Sequence, residues 1–153
     1  WSTEPVTGTL LHNTFAANDK GSGDGRIAIH LNDPYVTLTL TNNLIYSHTY
    51  GVYVVTNSTV RLDHTLFYAN SEGDTGGLGT IINSSPITGQ DPLLTADYHL
   101  GPASPAIDAG VDAGVTTDID GESRDASPDI GADECAISEM EIYLPLVMRN
   151  YRP

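Results

Sequence analysis

L-T-N-N-L-I-Y-S-H (Leu40 to His48) recurs 22 residues later as L-D-H-T-L-F-Y-A-N (Leu62 to Asn70). The apolar, aromatic and turn positions coincide: Leu40 with Leu62, Leu44 with Leu66, Ile45 with Phe67, Tyr46 with Tyr68, Gly51 with Gly73. A third copy, L-L-H-N-T-F-A-A-N (Leu10 to Asn18), lies 30 residues upstream and puts Leu10, Phe15, Asn18 and Gly21 in the columns of Leu40, Ile45, His48 and Gly51. The 8 additional residues are assigned to turn-rich G-S-G-D-G (Gly21 to Gly25) and Asp33-Pro34-Tyr35. A unit of about 20 residues, with Val, Ile, Leu, Thr and Tyr runs between turn residues, reads as one coil of a β-solenoid. Equivalent strands of successive coils then pair roughly 4.8 Å apart, so like stacks on like. A helical repeat is disfavoured, because V-T-L-T-L-T-N-N (Val36 to Asn43) and G-V-Y-V-V-T-N (Gly51 to Asn57) are β-branched and broken by Asn and Gly. The expected architecture is an all-β parallel β-helix of about three coils.

The columns His12/Asn42/His64 and Asn13/Asn43/Thr65 follow a strand end. Asn tolerates the left-handed backbone of a tight turn and its amide bonds to neighbouring coils, so Asn13, Asn42 and Asn43 are expected to form a structural turn ladder. Residues 1–90 are assigned to coils: Val6 to Asp33, Val36 to Asn57, and Ser58 to Ser84. The third coil is read with an insertion at G-D-T-G-G-L-G (Gly73 to Gly79), after which Ser85-Pro86-Ile87 echoes Ser58-Thr59-Val60. Residues 91–135, poor in strand-like runs, are expected to form a cap folded across the last coil and back along the solenoid. Residues 136–153 form a tail ending E-I-Y-L-P-L-V-M-R-N-Y-R-P, read either as a sorting or attachment signal or as a last edge strand. No capping segment precedes Val6, so the chain is expected to be the C-terminal piece of a longer solenoid, partnered by upstream coils of its own.

The coils resemble the repeats of right-handed parallel β-helix proteins of the pectate-lyase-like superfamily. The later strings D-P-L-L-T-A-D-Y-H-L-G-P-A-S-P-A-I-D-A-G (Asp91 to Gly110), T-D-I-D-G-E-S-R-D (Thr117 to Asp125) and P-D-I-G-A-D-E (Pro128 to Glu134) are similar to the C-terminal "choice-of-anchor" module of secreted bacterial β-helix proteins. The Y-L-P-L-V tail is similar to those at the C-terminus of many such proteins. The resemblance implies a right-handed single-stranded β-helix and an extracellular or cell-surface location.

Twenty acidic against 6 basic residues give a net charge of −14. That argues against nucleic acid and anionic membrane as partners, and against an acidic polysaccharide unless calcium bridges the charges. A single cysteine, Cys135, excludes an internal disulfide and a cysteine metal cluster. No run approaches the roughly 20 apolar residues of a membrane span.

Asp118, Asp120 and Asp125 supply the hard oxygens that calcium prefers, in a D-x-D-G opening that lacks the closing bidentate Glu. The competing reading is a tight Asp120-Gly121 turn with Arg124 paired to Asp129 or Glu134. Asp108 and Asp129 are read as acceptors of backbone N–H groups in turns. Tyr46, Tyr68, Tyr50 and Tyr53 are expected to form an aromatic strip, either a carbohydrate platform or a ladder supporting the coils. Asp63-His64, with Arg61 on the same strand, is the best catalytic candidate. His12, His48 and His64 alternate with Asn in their columns, which marks turn positions, and His30 carries no stronger signal. Asn57-Ser58-Thr59 and Asn83-Ser84-Ser85 match glycosylation acceptors but are also expected at coil corners.

Two function classes remain. The favoured one is a non-catalytic structural or adhesive terminal module, its partner a polysaccharide or another cell-surface component. The other is a polysaccharide lyase, glycoside hydrolase or carbohydrate-binding module. Enzymes of the resembled superfamily share a cluster of acids, or of acids with Arg or Lys, on one exposed sheet; here only Arg61 and Asp63 answer to it.

Overall fold

The computed structural model describes residues 4–16 and 26–135; Asn18, the insertion at Gly21 to Gly25 and the tail lie outside the described residues. Within them the chain is all-β. Its strands are β1 (Val6–Leu11), β2 (Thr14–Ala16), β3 (Ile27–Leu31), β4 (Val36–Thr41), β5 (Leu44–Tyr46), β6 (Tyr50–Val54), β7 (Thr59–Asp63), β8 (Leu66–Tyr68), β9 (Gly73–Gly77), β10 (Thr80–Ser84) and β11 (Ile87–Thr88). Every strand pairing is parallel. Sheet A has the order β1-β4-β7-β10, sheet B β2-β5-β8-β11 and sheet C β3-β6-β9. The chain visits A, B and C in turn and starts again, so sheet neighbours are one circuit apart in sequence. No helix of the described residues is long and apolar enough to cross a membrane.

The register follows the repeat. Leu10, Leu40 and Leu62 stand in line on sheet A, and Phe15, Ile45 and Phe67 on sheet B. Alternation along V-T-L-T-L-T sends every second residue inward. Leu40, Val60 and Leu62 of sheet A, Ile45 and Phe67 of sheet B, and Ile29, Leu31, Val52 and Val54 of sheet C form one central core.

Two expectations about the third circuit are corrected. Gly73 to Gly79 is no insertion: Gly73–Gly77 is β9, with Gly73 opposite Tyr50 and Thr75 opposite Val52. Gly51 therefore does not stand over Gly73. Aromatic rings lie over Gly73 and Gly76, where a Cβ on Gly76 would come within 2.8 Å of the Tyr50 ring and 3.0 Å of Tyr53, while Gly77, at φ 98°, packs against the Val54 backbone. Thr80–Ser84 then opens a fourth circuit, with Thr80 and Ile81 over Thr59 and Val60, and Ile87 falls over Leu66, one sheet later than expected.

The segment from 91 onward lies back along the circuits, on one sheet. It runs along sheet B, where Leu100, Ala106 and Ile130 bury themselves against Leu44 and Leu66, with Tyr46, Tyr68 and Ile87 packed alongside. The middle residues of the three-residue sheet B strands, Phe15, Ile45 and Phe67, face the central core, while Leu44, Tyr46, Leu66 and Tyr68 beside them meet this segment. A sheet covered on both faces needs continuous apolar strands, and L-I-Y and L-F-Y supply them. Strand β10, at the edge of sheet A, keeps Ile82 41% exposed.

Candidate functional site

Arg124 is the only Lys or Arg between Asp91 and Cys135, and its side chain is 2% exposed. Its Nη1 donates to Glu134 Oε2 at 2.9 Å, and its Nη2 donates to the carbonyls of Gly131 and Ala132 at 3.0 and 2.8 Å. Of the two partners expected for Arg124, the carboxylate it takes is Glu134. Glu134 in turn accepts the backbone N–H groups of Asp125 and Asp129. The Asp129 carboxylate accepts N–H bonds from Asp108 and Cys135, both at 2.7 Å, and burial pushes its pKa up to about 6. The strings S-P-A-I-D-A-G, D-G-E-S-R-D and P-D-I-G-A-D-E thus close into one polar knot.

The knot is fastened to the circuits at a strand corner. His12, Asn42, His64 and Ser85 all stand in the left-handed region, with φ of 50°, 56°, 44° and 50°, as a turn column of Asn and His requires. Asn43 bonds along the ladder, its Oδ1 accepting from Asn13 N and Nδ2 at 3.1 Å and its Nδ2 donating to Leu10 O at 2.9 Å. Asn42 instead turns its amide to the cap: Oδ1 accepts from Val111 N at 3.0 Å and Nδ2 donates to Val111 O at 2.6 Å. Gly131, at φ 113°, donates its N–H to Asn42 O, and a Cβ there would meet Thr14 Oγ1 at 2.8 Å. Asn42 Nδ2 also donates to His12 Nε2 at 2.9 Å, so the facing Nδ1–H donates to Asp129 O at 3.1 Å and the ring is neutral.

Burial, followed by the charge of Arg124, holds the His12 imidazole below its ordinary value. Between that lowered value and about pH 6.5 the unfolded chain binds more protons than the folded one. The His12 contribution to stability is therefore complete above about pH 6.5 and is lost as pH falls below it. Asp129 acts oppositely, since its raised value favours the folded state at low pH and that gain is lost as pH rises from 3.8 through about 6. The comparison between variants isolates His12: His12→Asn is expected to give a shallower fall in urea midpoint from neutral to mildly acidic pH than the parent. Parallel curves would contradict the neutral, clamped imidazole.

Beside the knot is a cavity of about 410 Å³, bordered by Thr14, Tyr98, His99, Ile119, Asp120 and Asp133. His99 Nδ1, an Asp120 oxygen and an Asp133 oxygen all lie within 4.8 Å of one another, and among the described residues this is the group of three or more metal-capable side chains. The bond to Asp133 and its charge raise the His99 imidazole above its ordinary value.

The other expected residues are placed as follows. The aspartates Asp118, Asp120 and Asp125 do not converge on a common point. The Asp118 carboxylate is occupied by the N–H groups of Asp120, Glu122 and Glu134, and Asp125 accepts from Ser127 N, leaving Asp120 to join His99. The tyrosines form two groups, not one strip. Tyr46 and Tyr68 stack at 5.9 Å and 12° against the cap, whereas Tyr50 meets Tyr53 edge-on at 5.2 Å on sheet C. That second pair borders a cavity of about 400 Å³ with His30, Arg26 and Glu72. His64 Nδ1 and Asp63 Oδ1 are 2.9 Å apart. Arg61 is exposed, but its sheet neighbours are Thr39 and Ile82, and those of Asp63 are Thr41 and Ser84. Among the described residues no stacked acidic row accompanies them. Burial pushes the Cys135 thiol up, away from a reactive thiolate.

The fold and knot define an all-β protein of three parallel sheets with an irregular segment laid along one of them. Comparison with protein-family models, curated proteins and solved structures finds no match.

Proposed function

We propose that the chain is a right-handed parallel β-helix segment serving as a non-catalytic structural or adhesive module of a secreted or cell-surface protein. The observation that carries this reading is the cap. Residues 91–135 cover sheet B from β2 to β11, joined to it by Asn42, Thr14 and a shared apolar layer. Such an arrangement locks successive circuits together and stiffens a rod. The strand repeats and the S-P-A-I-D-A-G and P-D-I-G-A-D-E strings, similar to those of secreted β-helix proteins, support the same reading. The isolation of Arg61 and Asp63 on sheet A weighs against a lyase.

A second reading rests on Tyr50 and Tyr53, whose rings border the cavity with His30, Arg26 and Glu72; aromatic faces beside polar groups suit a sugar ring. A panel of pectin, alginate, glycosaminoglycans and neutral glucans, with and without calcium, separates the two. The structural reading expects no new chain ends and no binding that depends on Tyr53. Binding lost in Tyr53→Ala establishes the carbohydrate module. Cleavage lost in Asp63→Asn or His64→Gln overturns the non-catalytic assignment.

A further inference from the structure

Three separate turns of the cap deliver His99, Asp120 and Asp133 to one point. The first closes with Thr95 N donating to His99 O at 2.8 Å and Leu94 bridged antiparallel to Leu100. The second is closed by the Thr117–Ser123 bridge and by the Asp118 carboxylate, which accepts from Asp120 N at 3.0 Å and Glu122 N at 2.8 Å. The third carries Asp133, 8% exposed at the side chain; its Oδ2 accepts from Leu100 N at 2.7 Å, which leaves Oδ1 aimed at His99. Each side chain is thus positioned by backbone bonds on a different segment.

We propose that His99, Asp120 and Asp133 bind a divalent transition-metal ion of the zinc class. Asp133 Oδ1 lies 2.9 Å and Asp120 Oδ2 3.3 Å from the same atom, His99 Nδ1. One N–H on that nitrogen serves one carboxylate, and Asp133 takes it; a cation in place of the proton serves both. Metal–ligand bonds of about 2.0–2.2 Å place neighbouring ligand atoms about 2.9–3.5 Å apart, which is the spacing from His99 Nδ1 to each of the two carboxylates. With Nδ1 on the metal, Nε2 keeps its proton and lies 3.8 Å from Asp97 Oδ2, a favourable charge beyond hydrogen-bond distance. The cavity leaves the remaining coordination positions to water or an oxygen ligand. An imidazole nitrogen in the set selects zinc-class ions over calcium. This site differs from the calcium set expected at Asp118, Asp120 and Asp125, and shares only Asp120 with it.

The test is calorimetric titration of the full chain with zinc chloride, followed by the visible absorption of its cobalt(II) form. One zinc ion is expected per chain, with affinity at least about tenfold weaker in His99→Gln and in Asp120→Asn and unchanged in His30→Gln. The cobalt bands of a nitrogen-ligated ion are expected in the parent and lost in His99→Gln. Circular dichroism checks that the exposed Asp120→Asn variant is folded. Zinc binding undiminished by either variant overturns the proposal, as does no binding at millimolar zinc, which leaves His99 Nδ1 as a hydrogen-bond partner of Asp133 alone. Calcium bound more tightly than zinc at this site overturns the assigned class.

Discussion

Replacing Arg124 with alanine is expected to destabilise the chain by about 3–5 kcal/mol, the usual cost of removing one partner of a buried ion pair. The guanidinium is the only Lys or Arg charge within the cap and faces the buried Glu134, beside the buried Asp129 and Asp133. Without it the buried Glu134 carboxylate loses its cationic partner, and the carbonyls of Gly131 and Ala132 lose their donors. Arg124→Lys should rescue little, because one ammonium cannot spread donors over Glu134 and several carbonyls at once. Urea unfolding measures this directly. A loss under about 1 kcal/mol would place Arg124 among surface pairs and contradict the knot.

Phe67→Asp is expected to abolish folding. Phe67 is fully buried, between Ile45 and Thr88 on sheet B, and packs in the central core with Val52, Val54 and Leu62. Burying a carboxylate there costs several kcal/mol beyond the about 3–5 kcal/mol lost on truncating a core phenylalanine. Domains of this size hold about 5–15 kcal/mol in all. Phe67→Ala serves as the graded companion, folded and destabilised. A Phe67→Asp variant that melts like the parent would put this column on the surface.

Much of the sheet architecture is legible because like residues stack: the Leu40/Leu62, Ile45/Phe67 and Tyr46/Tyr68 pairs are both the repeat and the register. The corner at His12, Asn42 and His64 is legible for a related reason, since interchange of Asn and His signals a left-handed turn. Strand β9 is hidden because G-D-T-G-G carries the composition of a turn, and only the Tyr50 and Tyr53 rings over Gly73 and Gly76 and the Val54 backbone beside Gly77 explain it. Besides its apolar layer, the cap is placed by polar contacts across long separations, such as Asn42 to Val111 and Thr14 to Ala132, that no local pattern encodes. The available signal was the unbroken apolar triplets L-I-Y and L-F-Y, whose outer residues require a cover. His99, Asp120 and Asp133 come from three turns, so spacing along the chain reveals Asp120 alone.

Whether the cap and the sheets open as one unit is read most directly by amide hydrogen exchange on the full chain. The amides of Val111, Gly131 and Ala132, bonded to Asn42 and Thr14, are expected to exchange as slowly as those of Leu44 and Leu66 in sheet B. All should accelerate together in Arg124→Ala. Cap amides that exchange orders of magnitude faster than the sheet amides in the parent would contradict a cap locked to the rod.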